Sequence, residues 1–221
     1  MVAPVRPMAR VSFENDRGSR LVGEIFLAGE QAPLVVFSHG LGSGKASPRN
    51  RALAAELGDR GIGSFLFDYT GHGESEGTLA DSSLEQQTFD LGAALDYLDQ
   101  AYGGRLGEIG VNGSSTGGTA ALFRAAQDPR IRALVVRSVR DYGVLEAASR
   151  VTVPTLVIQG GEDRTVLPES ERIYRALAGP KEYVVIPGAG HLFAEDPRHT
   201  ARMTQLTVDW FVRYLLPVRV G

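Results

Sequence analysis

The sequence predicts one doubly wound α/β domain, a mostly parallel sheet with helices on both faces, and three observations carry that prediction. Short apolar runs rich in β-branched and aromatic residues alternate with longer segments of helical period. The later runs, "RALVVRS" (132–138) and "PTLVIQG" (154–160), are almost wholly apolar rather than alternating, as expected of parallel strands covered on both faces. The strand–helix unit repeats without a linker, internal repeat or low-complexity tract, which places residues 1–221 in a single domain.

Two strands open the chain, "RVSFEND" and "RLVGEIFLA", with the turn-like Arg17-Gly18-Ser19 between them predicting an antiparallel start. Further strands follow at "PLVVFSHG" (33–40), "IGSFLFDY" (62–69), "LGEIGVNG" (106–113) and the two runs already quoted, and "KEYVVIPG" (181–188) is the last. Helices are predicted over "NRALAAELGDRG", "LEQQTFDLGAALDYLDQAYG", "TGGTAALFRAAQD", "LPESERIYRALAG" and "HTARMTQLTVDWFVRYLL". In the second of these Leu84, Thr88, Leu91, Leu95 and Leu98 form one stripe for burial. Ser82, three residues before Glu85, reads as its capping box.

Composition excludes several function classes. A net charge of −3 offers no attraction to nucleic acid or an anionic membrane. The absence of cysteine removes disulfides, thiolate metal sites and a cysteine nucleophile together. The four histidines are scattered without metal-ligand spacing, so neither a metal nor a cofactor is expected. No apolar run reaches the length of a signal or transmembrane segment, so the expected location is cytoplasmic. Arginine outnumbers lysine 21 to 2, which carries no functional weight by itself.

Chemistry is concentrated in Gly113-Ser114-Ser115-Thr116-Gly117. In a chain this rich in glycine and serine, Gly-x-Ser-x-Gly arises by chance with a probability of about 0.2, so its position has to decide. It follows the apolar "EIGVN" and runs straight into a helical segment, the strand–turn–helix context in which a central serine is strained and exposed. Ser115, flanked two residues away by Gly113 and Gly117, is therefore the candidate nucleophile. Ser114, flanked by Asn112 and Thr116, is not. A hydroxyl needs a base, and His191 in "IPGAGHLF" follows the last strand at the same sheet edge. Its orienting acid is Asp163 in "TLVIQGGEDRTV", with Glu162 as the local competitor. The order Ser115…Asp163…His191, each on a loop after a successive strand, is the order of the α/β-hydrolases.

The chain resembles a small serine hydrolase of the α/β-hydrolase superfamily, similar to the dienelactone hydrolase-like and cinnamoyl-esterase-like groups. "VVFSHGLGSG", "FLFDYTGHGESEG", the Ser115 turn, "TLVIQGGEDRTV" and "IPGAGHLF" carry the resemblance over nearly the whole length. It implies an oxyanion hole made by the backbone N–H groups of Leu41 and Thr116, with His39 structural and His72 part of a turn. It also implies hydrolysis of a small carboxylic ester or thioester through an acyl-Ser115 intermediate. Peptidase or acyltransferase chemistry on the same triad, and a non-turnover ligand-binding protein, are the alternatives. Two departures stand out. Dienelactone hydrolases proper use a cysteine nucleophile, and the fifteen residues "VRDYGVLEAASRVTV" leave no room for the cap domain many relatives insert there. The expected partner is a small acyl substrate, with Arg137 or Arg140 reaching the rim of the site to hold an anionic group of it. The alternative for both arginines is surface pairing with Asp141 or Glu146. Oligomeric state and the natural acyl group are not legible.

Overall fold

The computed structural model describes residues 9–217. The opening hairpin is β1 (Ala9–Glu14) and β2 (Arg20–Phe26), followed by β3 (Leu34–Ser38), α1 (Pro48–Asp59) and β4 (Gly63–Phe67). After a 3-10 turn at Leu79–Asp81 come α2 (Leu84–Tyr102), β5 (Ile109–Ser114), α3 (Thr116–Ala125) and β6 (Ile131–Arg137). The chain closes with α4 (Leu145–Ala148), β7 (Thr155–Gly160), α5 (Leu167–Ala176), β8 (Lys181–Ile186) and α6 (Pro197–Leu215). The eight strands form one sheet in the order β1-β2-β4-β3-β5-β6-β7-β8. Only the β1–β2 and β2–β4 pairs are antiparallel. β3 to β8 therefore all end at the same edge, which is where loops converge on a ligand in sheets of this kind.

Two apolar layers cover the sheet. On one face Phe13, Val36, Phe65, Phe67 and Val136 pack with Leu91, Leu95 and Leu98 of α2 and with α3 and α5. On the other, Val35, Phe37, Ala133 and Val135 meet Leu53 and Leu57 of α1 and Phe211 of α6. Gly110 in β5 lets α6 approach: a Cβ there would lie 2.7 Å from the Phe211 ring. The predicted α2 stripe is buried from Thr88 to Leu98, with Leu84 half-buried at its start. Its cap differs from the sequence expectation by one residue. Ser83 takes the extended backbone and accepts the Gln86 N–H at 3.1 Å, whereas Ser82 is tucked against Gln87. Gln86 in the third helical position turns its amide to Asp16 and Asp90 instead of back to the cap. Between β6 and β7 the only helix is the single turn α4. No helix among the described residues is long and apolar enough to cross a membrane.

Asp90 of α2 ties the antiparallel hairpin to the rest of the domain. Wholly buried, it accepts the side-chain amides of Asn15 and Gln86, both at 2.9 Å, and the backbone N–H of Thr70 at 2.8 Å. Asp90→Ala leaves these donors without an acceptor in a dry site, and an unmet buried donor costs about 1–3 kcal/mol. Urea unfolding of that variant should show a loss of about 3 kcal/mol. A loss under about 1 kcal/mol would mean that water replaces the carboxylate.

Candidate active site

Ser115 is the hinge of the β5–α3 turn, with φ 52° and ψ −123°. For a residue with a Cβ this region is strained, at about 1–3 kcal/mol, and persists only where the surroundings over-determine it. Here they do. The Ser115 N–H donates to the Arg137 carbonyl at 2.9 Å, and the Ser115 carbonyl accepts the N–H groups of Gly118 and Thr119. A Cβ on Gly113 would sit 2.6 Å from the Gly118 Cα, and one on Gly117 would collide with the carbonyl oxygens of Ser38 and His39. Small residues on either side of the turn are thus demanded by backbone-to-backbone contact.

The structure brings the three expected side chains together. His191 Nδ1 lies 2.6 Å from Asp163 Oδ2, and its Nε2 lies 3.2 Å from Ser115 Oγ. An imidazole protonated at Nδ1 satisfies both contacts, donating to the carboxylate and accepting from the hydroxyl. Gln159 at the end of β7 donates to the same Asp163 oxygen at 3.3 Å. Asp163 is nearly buried, while about a third of the His191 side chain remains exposed. Glu162 faces away and pairs with Arg164 at 3.0 Å. Asp163 itself is placed by a turn in which its N–H bonds back to Gly160 and its carbonyl receives Val166 and Leu167 at the start of α5.

The loop after β3 lies against the serine turn. A Cβ on Gly40 would be 3.1 Å from the Ser114 carbonyl oxygen and 3.2 Å from the Ser115 Cβ. The Leu41 N–H points to the Thr116 hydroxyl oxygen at 3.1 Å, so the two backbone segments expected to supply oxyanion donors meet. Two histidines hold this loop. His39 sits with Nδ1 at 2.9 Å from the Gly40 carbonyl and Nε2 accepting the Tyr69 N–H. His72 faces the Thr70 carbonyl through Nδ1 and accepts the Gly42 N–H through Nε2 at 3.2 Å. A buried ion pair completes the clamp. Lys45 Nζ lies 2.6 Å from Asp68 and 2.5 Å from Glu74, and the Lys45 N–H also donates to Asp68. Burial alone would pull the Lys45 ammonium down, but its bonds to the two carboxylates outweigh this and hold it above its ordinary value.

The sequence offered two weak signals for this clamp, one of only two lysines in an arginine-rich chain and an aspartate closing a strand. Neither was enough to single out Lys45 or Asp68, because both ends of a long-range pair must be known first.

Neither arginine pairs with Asp141 or Glu146, and Arg137 is buried. Arg137 shares its face of β6 with Ala133 and Val135, so the two-residue period of the strand turns it into the α1–α6 layer. Only 3% exposed, it donates to Asn112 at 2.9 Å and to Asn50 of α1 at 3.0 Å, and burial pushes it down to about 10. It therefore does not reach the rim, and it pairs with neither Asp141 nor Glu146. Arg140 is more open and binds Glu169 at 3.2 Å while lying over the Tyr142 ring. Asp141 and Glu146, the partners expected for it, are taken by Arg172 and Arg150.

Burial drives His39 from an ordinary value of 6.5 to about 4. Between those values the unfolded chain takes up a proton that the native chain refuses, so stability falls as pH falls from 6.5 to 4. The window is worth up to about 3 kcal/mol. Denaturant unfolding from pH 7 to 4 should show this slope, and His39→Gln should flatten it. An undiminished slope in the variant would locate the acid sensitivity elsewhere.

Comparison with known proteins places the family and the fold. The family model described as serine aminopeptidase S33 matches residues 29–139, and that described as PET hydrolase-like matches residues 91–217. A putative phosphoribosyl transferase of Mycobacterium tuberculosis is 34% identical over 197 residues, covering 88% of this chain. The chain spans only 44% of that relative's length. The crystal structure of a dienelactone hydrolase from Anabaena variabilis superposes with a TM-score of 0.85 at 32% identity, covering 95% of this chain and 98% of the other. Est1E of Butyrivibrio proteoclasticus, solved with ferulic acid, shares the fold at a TM-score of 0.82 and 19% identity, over 92% and 98% of the two chains. With two matching family models and a dienelactone hydrolase of the same fold at 32% identity, the chain belongs to the α/β-hydrolase superfamily.

Proposed function

We propose that this α/β-hydrolase is a serine esterase that cleaves a small carboxylic ester or thioester through an acyl-Ser115 intermediate. The observation that carries the reading is the position of His191, with one ring nitrogen on Asp163 and the other on Ser115. In the first half-reaction Ser115 Oγ bonds to the carbonyl carbon as its proton passes to His191 Nε2. The carbonyl electron pair moves onto oxygen, where the N–H groups of Leu41 and Thr116 receive it. In the free structure Leu41 N–H donates to the Thr116 hydroxyl, a bond that a substrate oxygen would replace. Collapse breaks the bond to the leaving group, which departs with the proton from Nε2. Water then repeats the sequence on the acyl-enzyme: its proton goes to Nε2, the acid leaves, and Ser115 recovers its proton. Asp163 holds the Nδ1–H tautomer and stabilises the imidazolium formed in each half.

Peptide cleavage by the same steps is the second reading, favoured by the description of one matching family model as a serine aminopeptidase. Paired ester and anilide substrates bearing one acyl group separate the two by their kcat/KM ratio.

A fluorophosphonate should label Ser115, and Ser115→Ala should abolish both labelling and ester hydrolysis. Label found on Ser114, or a variant of full activity, would remove the nucleophile assignment. Asp163→Asn should fold normally but lose several orders of magnitude in kcat, because the amide favours the wrong tautomer of His191. Turnover close to that of the unaltered protein would reassign the acid, with Glu162 the first residue to test.

A further inference from the structure

Immediately after β6, Ser138 adopts φ 48°, a left-handed backbone that few residues with a Cβ take up. Glycine would adopt it without strain but has no hydroxyl. The Ser138 side chain is wholly buried and donates to the main-chain carbonyl of His191 at 2.8 Å. Its own N–H is fixed to the Ile158 carbonyl of β7 at 3.1 Å. Among the described residues, this is the only hydrogen bond to the His191 main chain. We propose that Ser138 is a positioning residue for the general base, setting the distance from His191 Nε2 to Ser115 Oγ. The proposal rests on the reading of His191 as the base.

The reason lies in how an imidazole is held. The contact between His191 Nδ1 and Asp163 fixes one ring atom and leaves the ring free to swing about it. Anchoring the carbonyl of the same residue fixes the Cα end, and two fixed ends define where Nε2 points. The anchor belongs to the element that also holds the nucleophile, because the Arg137 carbonyl accepts the Ser115 N–H. Two consecutive residues at the end of β6 thus carry the backbones of Ser115 and His191, which come from different crossovers of the fold. Thr119 of α3 secures the same segment through the Arg140 carbonyl at 2.9 Å. Displacing a catalytic group by about 1 Å can lower a rate by roughly a hundredfold, so an anchor of this kind acts on turnover.

The test compares Ser138→Ala and Ser138→Gly by hydrolysis of p-nitrophenyl acetate, by the fluorophosphonate inactivation rate and by thermal midpoint. Both variants should lose about ten- to fiftyfold in kcat and in inactivation rate, with KM within about twofold, since binding contacts are untouched. Ser138→Gly relieves the backbone strain, so its midpoint should not fall as far as its activity does. In a His191→Ala background Ser138→Ala should add no further loss, because its effect runs through His191. Unchanged kcat in Ser138→Gly, or an equal further loss in the His191→Ala background, overturns the proposal and leaves the base assignment standing. Full activity of His191→Ala alone overturns the base assignment and this proposal with it.

Discussion

The rest of the site depends on how closely the turn at Ser115 approaches the end of β3. Gly117 lies so near the carbonyls of Ser38 and His39 that no side chain fits, and Gly40 packs in return on Ser114 and Ser115. This contact sets the Leu41 N–H beside the first turn of α3. It also forces the Ser115 backbone out of both the strand and the helix regions. The conformation is strained, yet every polar backbone group of Ser115 is paired, its N–H with β6 and its carbonyl with α3. Strain of about 1–3 kcal/mol persists because no relaxed alternative keeps those bonds and the glycine contact.

A loop that supplies backbone donors must itself be rigid, and here the rigidity comes from buried polar groups. His39 and His72 act as two-ended connectors between the loop after β3 and the loop after β4. Their rings meet edge-on, with centroids 5.0 Å apart. Lys45, Asp68 and Glu74 join the same two loops by charge. Such a pair adds little net stability over an apolar contact, but it is directional and permits few alternative arrangements of the loop. Asp68 also receives the N–H groups of Lys45 and Glu74, so its carboxylate organises backbone on both sides.

The alternation of strand and helix was legible because burial on both faces writes nearly continuous apolar runs for β3 to β7, while the edge strands β1 and β8 are only partly buried and mixed in polarity. The serine turn, Asp163 and His191 were legible because each follows a strand at one edge, where the fold brings them into mutual contact. Side-chain direction at strand ends was harder to read. Arg137 looked like a rim residue by its place in the chain, but its direction depends on the register of β6 against β5, which a single sequence does not display. The polar clamps were hidden for another reason. Lys45 with Asp68, Asn15 with Asp90 and Ser138 with His191 join residues 23, 75 and 53 positions apart, and nothing local distinguishes them from solvated polar residues. The α2 cap shifted by one because Ser82 and Ser83 are chemically equal candidates, and packing of Gln87 against Ser82 chooses between them.

Rigidity and openness are divided between two sets of residues. The groups that would carry proton transfer are fixed by buried bonds to β6, β7 and the loops after β3 and β4. Around them, Leu41 beside the serine turn and Leu192 beside His191 stay more than half exposed, and Tyr142 nearly so. Tyr142 belongs to the β6–β7 connection, whose only helix is the short α4. Apolar side chains left in water gain by about 25 cal/mol for each Å² that is covered. The buried bonds, not these exposed side chains, fix where His191 meets Ser115.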